Sequence, residues 1–217
     1  LETRNDTLSV ALPDLGVDGE HGTKLPASDV LLAVDPRTAC DLVGDTAETK
    51  TWAALTPVSA ACLDVALSSL PNPNVTFAMG IDQPVYFSVH SKWAQLTPKG
   101  GALIHAAKYR KRAAVEPGLE LDTQAARRSS SDASIEQELE LLLDDLQPGW
   151  RDVLVHRRYL PSMIVSNALV TPSTKRPDAV TSIRGLYLAG DWVGGEGLLS
   201  DAALTSARAA AKAILAR

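Results

Sequence analysis

The sequence predicts a mixed fold, in which α/β segments at the two ends of the chain flank an α+β segment with an antiparallel sheet. Near each end, a short apolar run is followed by turn residues and then by a helical pattern, at 30–43 and at 185–216. Between them, runs of alternating β-forming residues are separated by proline and glycine turns, as in an antiparallel sheet with one solvated face. We therefore expect two kinds of layer in one chain.

The composition is that of a soluble globular protein. Of the 217 residues, 45% are apolar and 22% are charged, which excludes disorder and a fibrous fold. No apolar stretch approaches the roughly 18 residues of a membrane-spanning helix. The net charge of -5 argues against nucleic acid as a partner, although residues 108–112 are basic. Cys40 and Cys62 suit neither a disulfide framework nor a zinc site, which predicts a reducing, cytoplasmic location.

The first segment, residues 1–50, contains one strand-to-helix unit. Residues 1–28 are rich in glycine, proline and aspartate, which predicts a loop or a weak hairpin. The apolar run 30–34 predicts a strand buried on both faces. Asp35 is positioned to cap a helix that begins at Pro36 and ends at Gly44.

The middle segment, residues 51–170, predicts an antiparallel sheet and one helix. Alternating residues predict strands at 75–79, 85–89 and 102–106. The turns between them are expected at 82–84 and 98–101, and residues 110–131 are expected to form a polar loop.

Helical spacing of apolar residues continues the middle segment from Ser134 to Leu146. Ser134 with Gln137 predicts a capping box at the helix start, and Pro148–Gly149 predicts its end. Two short strands are expected after it, at 153–155 and around 163–165, with Pro161 between them.

The last segment, residues 171–217, predicts a loop, a buried strand at 185–190, a glycine-rich turn at 191–197 and a small-residue helix at 198–216. Its alanines and Ile214 would face the sheet, and Asp201, Thr205, Arg208 and Lys212 would form a polar stripe. The face expected on the sheet comprises Ala202, Ala203, Ala207, Ala210, Ala211 and Ile214.

This last strand, turn and helix form the strongest candidate site. The order places unpaired N–H groups and the positive end of a helix dipole at the carboxyl edge of a sheet, where anionic or electron-rich ligands bind. Glycines at 190, 194, 195 and 197 remove Cβ atoms that would keep a ligand from the backbone. A complete dinucleotide fingerprint, with an acidic residue about 20 positions later, does not fit here. The turn is therefore either a distal part of a nucleotide site or a structural connection alone.

The segment Gly185–Asp191, the glycines after it and Ser206–Ala210 resemble the C-terminal FAD-binding motif of the flavin-containing amine oxidase superfamily, particularly its phytoene desaturase and protoporphyrinogen oxidase-like branch. Residues 29–36 are similar to the family strand that re-enters the FAD domain, and residues 158–161 to an arginine-aromatic-proline stretch. The resemblance implies incomplete FAD/NAD(P)-binding, Rossmann-like pieces at 1–50 and 171–217, flanking a substrate domain at 51–170.

The same resemblance implies FAD as the cofactor of the full-length protein and a small, apolar substrate. Hydride would be removed from a C–C or C–N bond, as in desaturation or amine oxidation. Asp191 would bind the ribityl or pyrophosphate region, and the amides near 199–201 would face the flavin pyrimidine. The implied cofactor-binding residues are Gly190, Asp191, Trp192, Gly197, Leu198, Leu199 and Ser200. No catalytic residue and no metal ligand is assigned.

The family's N-terminal unit with its glycine fingerprint has no counterpart in residues 1–28. Since the chain also begins without Met, we expect a piece of a longer protein whose N-terminal FAD-binding half is missing, and we expect the piece alone to be inactive. A non-catalytic binding module that kept the fold but lost the cofactor is the alternative, and a different nucleotide-dependent α/β enzyme is a third.

His90 and His105 form a second candidate pair. If the turn at 98–101 joins paired strands, the two side chains lie nearly opposite each other, which would allow a metal pair or an acid/base couple. Structural partnering within the sheet is the other interpretation, since no third metal ligand is evident.

Overall fold

A computed structural model describes residues 2–4, 7–11, 24–110 and 130–216. The chain divides into two compact units, residues 1–57 with 166–217 and residues 58–165. In chain order, the elements are β1 (Glu2–Arg4), β2 (Thr7–Ala11), β3 (Lys24–Ala27), β4 (Val30–Leu32), α1 (Pro36–Val43), α2 (Ala47–Ala53), β5 (Val58–Leu67), β6 (Phe77–Met79), β7 (Val85–Val89), β8 (Ala102–Tyr109), α3 (Ser130–Leu146), β9 (Leu154–Ser166), β10 (Leu186–Leu188) and α4 (Ser200–Leu215). Short 3-10 helices at His90–Lys92 and Trp150–Val153 precede β8 and β9 respectively. None of the helices in the described ranges combines the length and apolar character that crossing a bilayer requires.

The first unit contains an antiparallel sheet, β1-β2-β3, and a parallel pair, β4 with β10. The two strands of the pair, one from each end of the chain, align Val30 with Leu186 and Leu32 with Leu188. The prediction that the strand at 30–34 is buried on both faces is wrong, because Leu31 is 42% exposed. Side chains alternate along a strand, and Val30 and Leu32 are the ones that reach the core.

Helix α1 forms as its capping residues predict. The Asp35 carboxylate accepts hydrogen bonds from the backbone N–H groups of Arg37 and Thr38, at 3.0 and 3.1 Å. Gly44 ends the helix with φ 85°, a conformation that favours glycine. Helix α2, which the sequence pattern did not predict, begins with a reciprocal capping box between Thr46 and Thr49. Because α2 lies in the first unit, the second unit begins later than the middle segment at 51–170.

Two tryptophans organise the core of the first unit. The rings of Trp52 and Trp192 pack edge to face, 5.9 Å between centroids. The indole N–H of Trp192 donates to the backbone oxygen of Val34 at 2.8 Å, so this buried donor is satisfied. Helix α4 contributes Ala202, Ser206 and Ala210 to the buried side, at a spacing of four residues. The hydrophobic core cluster of the unit comprises Leu8, Leu32, Ala39, Trp52, Ala168, Ala179, Leu186, Tyr187, Leu188, Trp192, Val193 and Ala210.

The α4 face differs in part from the predicted one. Ala202 and Ala210 are buried as expected, but Ala211 is exposed. Ser206 takes a buried position instead, because its hydroxyl is satisfied by the backbone of Gly190: it accepts from the N–H and donates to the oxygen, both at 3.1 Å.

The second unit is a five-stranded antiparallel sheet in the order β6-β7-β8-β5-β9. The predicted antiparallel strands near 75–79, 85–89 and 102–106 are present as β6, β7 and β8. Strand β5 lies between β8 and β9 and pairs with β8. It was not among the predicted strands, because its residues are buried on both faces and show no alternation of apolar and polar side chains. The two short strands expected at 153–155 and 163–165 form one strand, β9, because Pro161 is tolerated at a sheet edge.

Helix α3 covers one face of this sheet through Leu139 and Leu143. It begins at Ser130 rather than Ser134, so the predicted capping box is wrong. Apolar spacing locates the turns of a helix that contact a core and leaves its exact first residue open. Gly149, with φ 82°, follows the helix as predicted.

Two predicted loops fall largely outside the described residues. Of the loop expected at 110–131, residues 111–129 are not described and residues 130 and 131 belong to α3. Of the turn-rich stretch 1–28, the described parts form the strands β1, β2 and β3. Lys111 and Arg112 of the basic cluster are outside the description, whereas Lys108 pairs with Glu138 of α3.

Candidate functional site

The candidate site is the connection from β10 to α4. All three residues of β10 are buried, and α4 begins at Ser200. The turn between them is held by backbone hydrogen bonds from the N–H of Val193 to the oxygen of Gly190, at 3.1 Å, and from the N–H of Gly194 to the oxygen of Pro177, at 2.7 Å. The connection is therefore an ordered loop between two packed elements.

Arg176 fastens this turn from the preceding loop, a role that the sequence pattern did not indicate. Its guanidinium donates to the backbone oxygens of Asp191 at 3.1 Å and Gly197 at 3.0 Å, with a longer contact of 3.4 Å to Glu196. One rigid fork of donors thus ties both ends of the turn together. Sequence spacing carries no signal for such a contact, since arginine in a polar loop is usually solvated.

Gly190 and Trp192 serve the packing of this turn. A Cβ atom at Gly190 would lie 2.8 Å from the indole nitrogen of Trp192. Trp192 itself is fully buried, with its indole in the core of the first unit. Because the side chain of Trp192 lies in the core, only its backbone could contact a ligand.

Asp191 binds a neighbouring loop in this structure. One carboxylate oxygen accepts from the backbone N–H of Asn167 at 2.8 Å, and the other accepts from the Asn167 side-chain amide at 2.9 Å. Asn167 had no signal in the sequence. An ionised carboxylate has about four acceptor positions, so these two bonds orient Asp191 without exhausting it.

The other predicted residues lie where α4 begins. Gly197 has φ 70°, and a Cβ atom there would lie 2.8 Å from the Cβ of Asp201. Leu199 also has a positive φ, 52°, which is unusual for a residue other than glycine. No described side chain caps the helix at this end. The first turn therefore presents backbone N–H groups without a side-chain acceptor.

Leu198 and Leu199 are 59% and 49% exposed beside this uncapped turn. The N–H of Asp201 in this turn donates to the backbone oxygen of Leu198 at 3.1 Å. Apolar side chains next to a helix start without a side-chain cap, at the positive end of its dipole, can accept a flat, electron-rich ring system or an anion. The described structure thus brings Gly197, Leu198, Leu199 and Ser200 together at one helix start.

His90 and His105 are brought together in the second unit. Their rings stack with 5.3 Å between centroids and 24° between planes. Ser88, rather than His90, is directly opposite His105 in the register. Across the described ranges, no group of three or more histidine, cysteine, aspartate or glutamate side chains is arranged to hold a metal ion.

Comparison with known proteins finds likeness in structure alone. No protein-family model matches the sequence, and no curated protein does. An oxidoreductase from Methanosarcina mazei matches 90% of this chain with a TM-score of 0.58 and 16% identity. A proposed protoporphyrinogen oxidase from Exiguobacterium sp. 255-15 matches 100% of it with a TM-score of 0.61 and 15% identity. A protein from Pyrococcus furiosus matches 89% with a TM-score of 0.53 and 18% identity.

The chain spans less than half of each of these structures, namely 44%, 46% and 42% of their lengths. At such low identity, the likeness shows the fold, which is similar to part of an oxidoreductase. The partial coverage is consistent with a fragment of a longer protein.

Proposed function

We propose that this chain is the C-terminal portion of an FAD-dependent oxidoreductase. The observation that carries the proposal is the uncapped start of α4, with Gly197 and Leu199 at positive φ and two exposed leucines beside it. The fold supports the proposal, since it is similar to a part of a proposed protoporphyrinogen oxidase that makes up 46% of the length of that protein. In this proposal, the first unit forms pieces of the FAD domain and the second unit is the substrate domain.

The residues present fit a flavin on one specific point. No side chain in the described ranges caps the start of α4, and Leu198 and Leu199 beside it are 59% and 49% exposed, so a ring can approach the backbone there. The space at Gly197 itself is occupied, because a Cβ there would meet Asp201 and the backbone nitrogen of Ala202 at 2.8 and 3.0 Å. The backbone at 197–200 would hold the cofactor, and the N–H groups of the first turn would face its electron-rich edge. When bound, FAD supplies the acceptor for a hydride taken from the substrate.

The chain's own contribution would be electrostatic and steric. The positive end of the α4 dipole stabilises negative charge that develops near Ser200. With a ring bound against them, the exposed Leu198 and Leu199 side chains would exclude water from the same region, which would strengthen that interaction. Asp191 would act at the far end of the turn, where Asn167 holds its carboxylate in one orientation.

The test is the flavin content of the intact protein. We expect the absorbance band of oxidised flavin, and we expect Asp191→Ala to weaken FAD retention about tenfold, since hydrogen bonds to a charged group are lost. Asn167→Ala should have the same effect if Asp191 acts by holding the turn. Asp41→Ala is the matched control, an exposed aspartate of the same unit. A colourless protein that ignores added FAD would defeat the proposal.

A second candidate function, a binding module without cofactor, is favoured by one observation. Both the Asp191 carboxylate and the Trp192 indole already have partners within the chain, as expected of a structural connection. Under this alternative, Asp191→Ala would lower the stability of the first unit, and the intact wild-type protein would carry no flavin.

A further inference from the structure

The second unit carries a polar cluster on the sheet face that α3 leaves uncovered. Because side chains alternate along strands, Leu63, Phe87 and Ile104 point to α3 and the residues between them point to the other face. The register sets Ser88 and Asp64 directly opposite His105, one on each neighbouring strand. Three polar side chains therefore lie in one row across β7, β8 and β5.

Each oxygen of the Asp64 carboxylate has its own partner. Oδ1 lies 2.5 Å from Nδ1 of His105, and Oδ2 accepts from Arg158 at 2.7 Å from Nη2 and 3.2 Å from Nε. Burial by itself raises the pKa of the Asp64 carboxyl, but the hydrogen bonds from Arg158 and His105 outweigh it and hold that pKa below its ordinary value. Asp64 is therefore ionised at neutral pH.

An ionised carboxylate only accepts hydrogen bonds, so Nδ1 of His105 must carry the proton that joins the two residues. In a neutral imidazole, the lone pair is then on Nε2. Within the part of the chain that the structure describes, the side-chain hydrogen bond of His105 goes to Asp64, and it uses Nδ1. The basic nitrogen Nε2 is thus left to a ligand.

The surroundings of His105 are aromatic and partly open. The His90 ring stacks on it, and the Tyr86 ring meets it edge on at 6.1 Å. Phe77 packs against Tyr86 at 5.7 Å and is 55% exposed. Burial and the neighbouring His105 lower the pKa of His90 by more than the charge of Asp64 raises it, so that pKa lies below its ordinary value. His90 is therefore neutral at neutral pH and adds no positive charge to that of Arg158.

We propose that Asp64 and His105 form a proton-accepting dyad for the hydroxyl group of an apolar ligand bound against this face. The charges of Asp64 and Arg158 balance each other, which favours a neutral group over an ion, and the aromatic row from Tyr86 to Phe77 offers contact to an apolar body. The hydroxyl proton moves to Nε2, which leaves an oxyanion on the ligand and an imidazolium on His105. Asp64 stabilises that imidazolium through Nδ1–H, and the proton returns to the ligand or to water.

The dyad goes beyond the proposed flavin site, since it needs no cofactor. Its test is the modification of histidines in the intact protein by diethyl pyrocarbonate, which acylates a free imidazole nitrogen. We expect His105 to be acylated, although more slowly than exposed His156, because only 23% of the His105 side chain is exposed. No flavin signal is measured, so failure of the dyad and failure of the flavin proposal are distinct results.

Asp64→Asn is the decisive variant. Arg158 only donates, so the single oxygen of the new amide stays with Arg158 and its NH₂ group faces Nδ1 of His105. Nδ1 must then accept a hydrogen bond, and the imidazole proton moves to Nε2. Because Nε2 no longer has a lone pair in this tautomer, acylation of His105 should slow at least about tenfold. Asp82→Asn is the control, because Asp82 is exposed in the β6–β7 turn. An unreactive His105, or equal rates in the two variants, would overturn the dyad.

Two further measurements cover the case in which Asp64→Asn does not fold. Nitrogen-15 spectra of the wild-type protein should show neutral His105 protonated at Nδ1, and protonation at Nε2 contradicts the proposal. 2-Naphthol should protect His105 from acylation, whereas 2-methoxynaphthalene, which lacks the proton, should protect it at least about fivefold less at equal concentration. Equal protection, or none from 2-naphthol, rejects the hydroxyl ligand.

Discussion

The substitution Gly190→Ala tests whether the turn after β10 is shaped by core packing. The new methyl carbon would lie 2.8 Å from Nε1 and 2.9 Å from Cδ1 of Trp192. Neither atom belongs to a flexible side-chain end, because the indole is fully buried, packs against Trp52 at 5.9 Å and donates to Val34 at 2.8 Å. The alanine can be accommodated only if the indole or the backbone moves.

The expected loss of stability follows from these contacts. Overpacking of a core costs about 1–3 kcal/mol, and leaving the indole N–H without its acceptor costs about 1–3 kcal/mol more if the ring is displaced. The reduced entropy of the unfolded chain returns about 0.4–1 kcal/mol. The middle values of these ranges combine to a loss of about 3 kcal/mol. We therefore expect Gly190→Ala to lower the free energy of unfolding by about 2–4 kcal/mol, a large share of the 5–15 kcal/mol typical of domains.

Urea unfolding followed by tryptophan fluorescence measures this loss. With a slope near 2 kcal/mol per molar urea, the midpoint should fall by about 1–2 M. Gly195→Ala is the matched control in the same turn, since nothing lies within 4 Å of a Cβ there and its φ is not in the left-handed region. That variant should stay within about 0.5 kcal/mol of wild type. Equal midpoints for the two alanine variants would refute the packing argument.

Two other predictions concern titratable groups. Burial acts to raise the pKa of Asp35, but hydrogen bonds from the Thr38 hydroxyl and from backbone N–H groups hold it below its ordinary value; Asp35→Ala should therefore cost about 1 kcal/mol at pH 7. A carboxyl whose folded-state pKa is lowered contributes stability above its unfolded pKa, and this contribution is lost as the pH falls through the folded-state pKa. The urea midpoints of wild type and variant should therefore converge only as the pH falls below 3.8, the ordinary pKa of the carboxyl; a constant difference would exclude the cap. Burial foremost, with the charge of Asp64, raises the pKa of the Cys62 thiol to about 11, so iodoacetamide at pH 8 should label the partly exposed Cys40 first. Labelling of both in urea is the control, and faster native labelling of Cys62 would contradict the burial argument.

Local features of the fold could be predicted from the sequence. Asp35, Pro36 and Gly44 bound α1 because a cap, a fixed φ and a left-handed residue each act within a few positions. The strands near 75–79, 85–89 and 102–106 followed from alternation, since one face of that sheet packs on α3. Where burial is two-sided, as in β5, alternation disappears and so does the signal.

The candidate site also has features that the sequence predicted and contacts that only the tertiary structure showed. Glycine density and small residues predicted a strand, turn and helix over 185–216, which the structure contains as β10 and α4. Only tertiary structure decided that the Trp192 indole turns into the core and that Arg176 and Asn167 hold the turn. These contacts join residues 15 to 158 positions apart.

The sequence by itself determined where α1 begins and ends and which segments form β6, β7 and β8, because those features depend on hydrogen bonds, sterics and alternation between near neighbours. The tertiary structure alone decided that β4 pairs with β10 across the length of the chain, and that Asp64 reaches both His105 and Arg158. Pairings of that kind depend on strand register and on the burial of whole faces, quantities that no short stretch of residues contains.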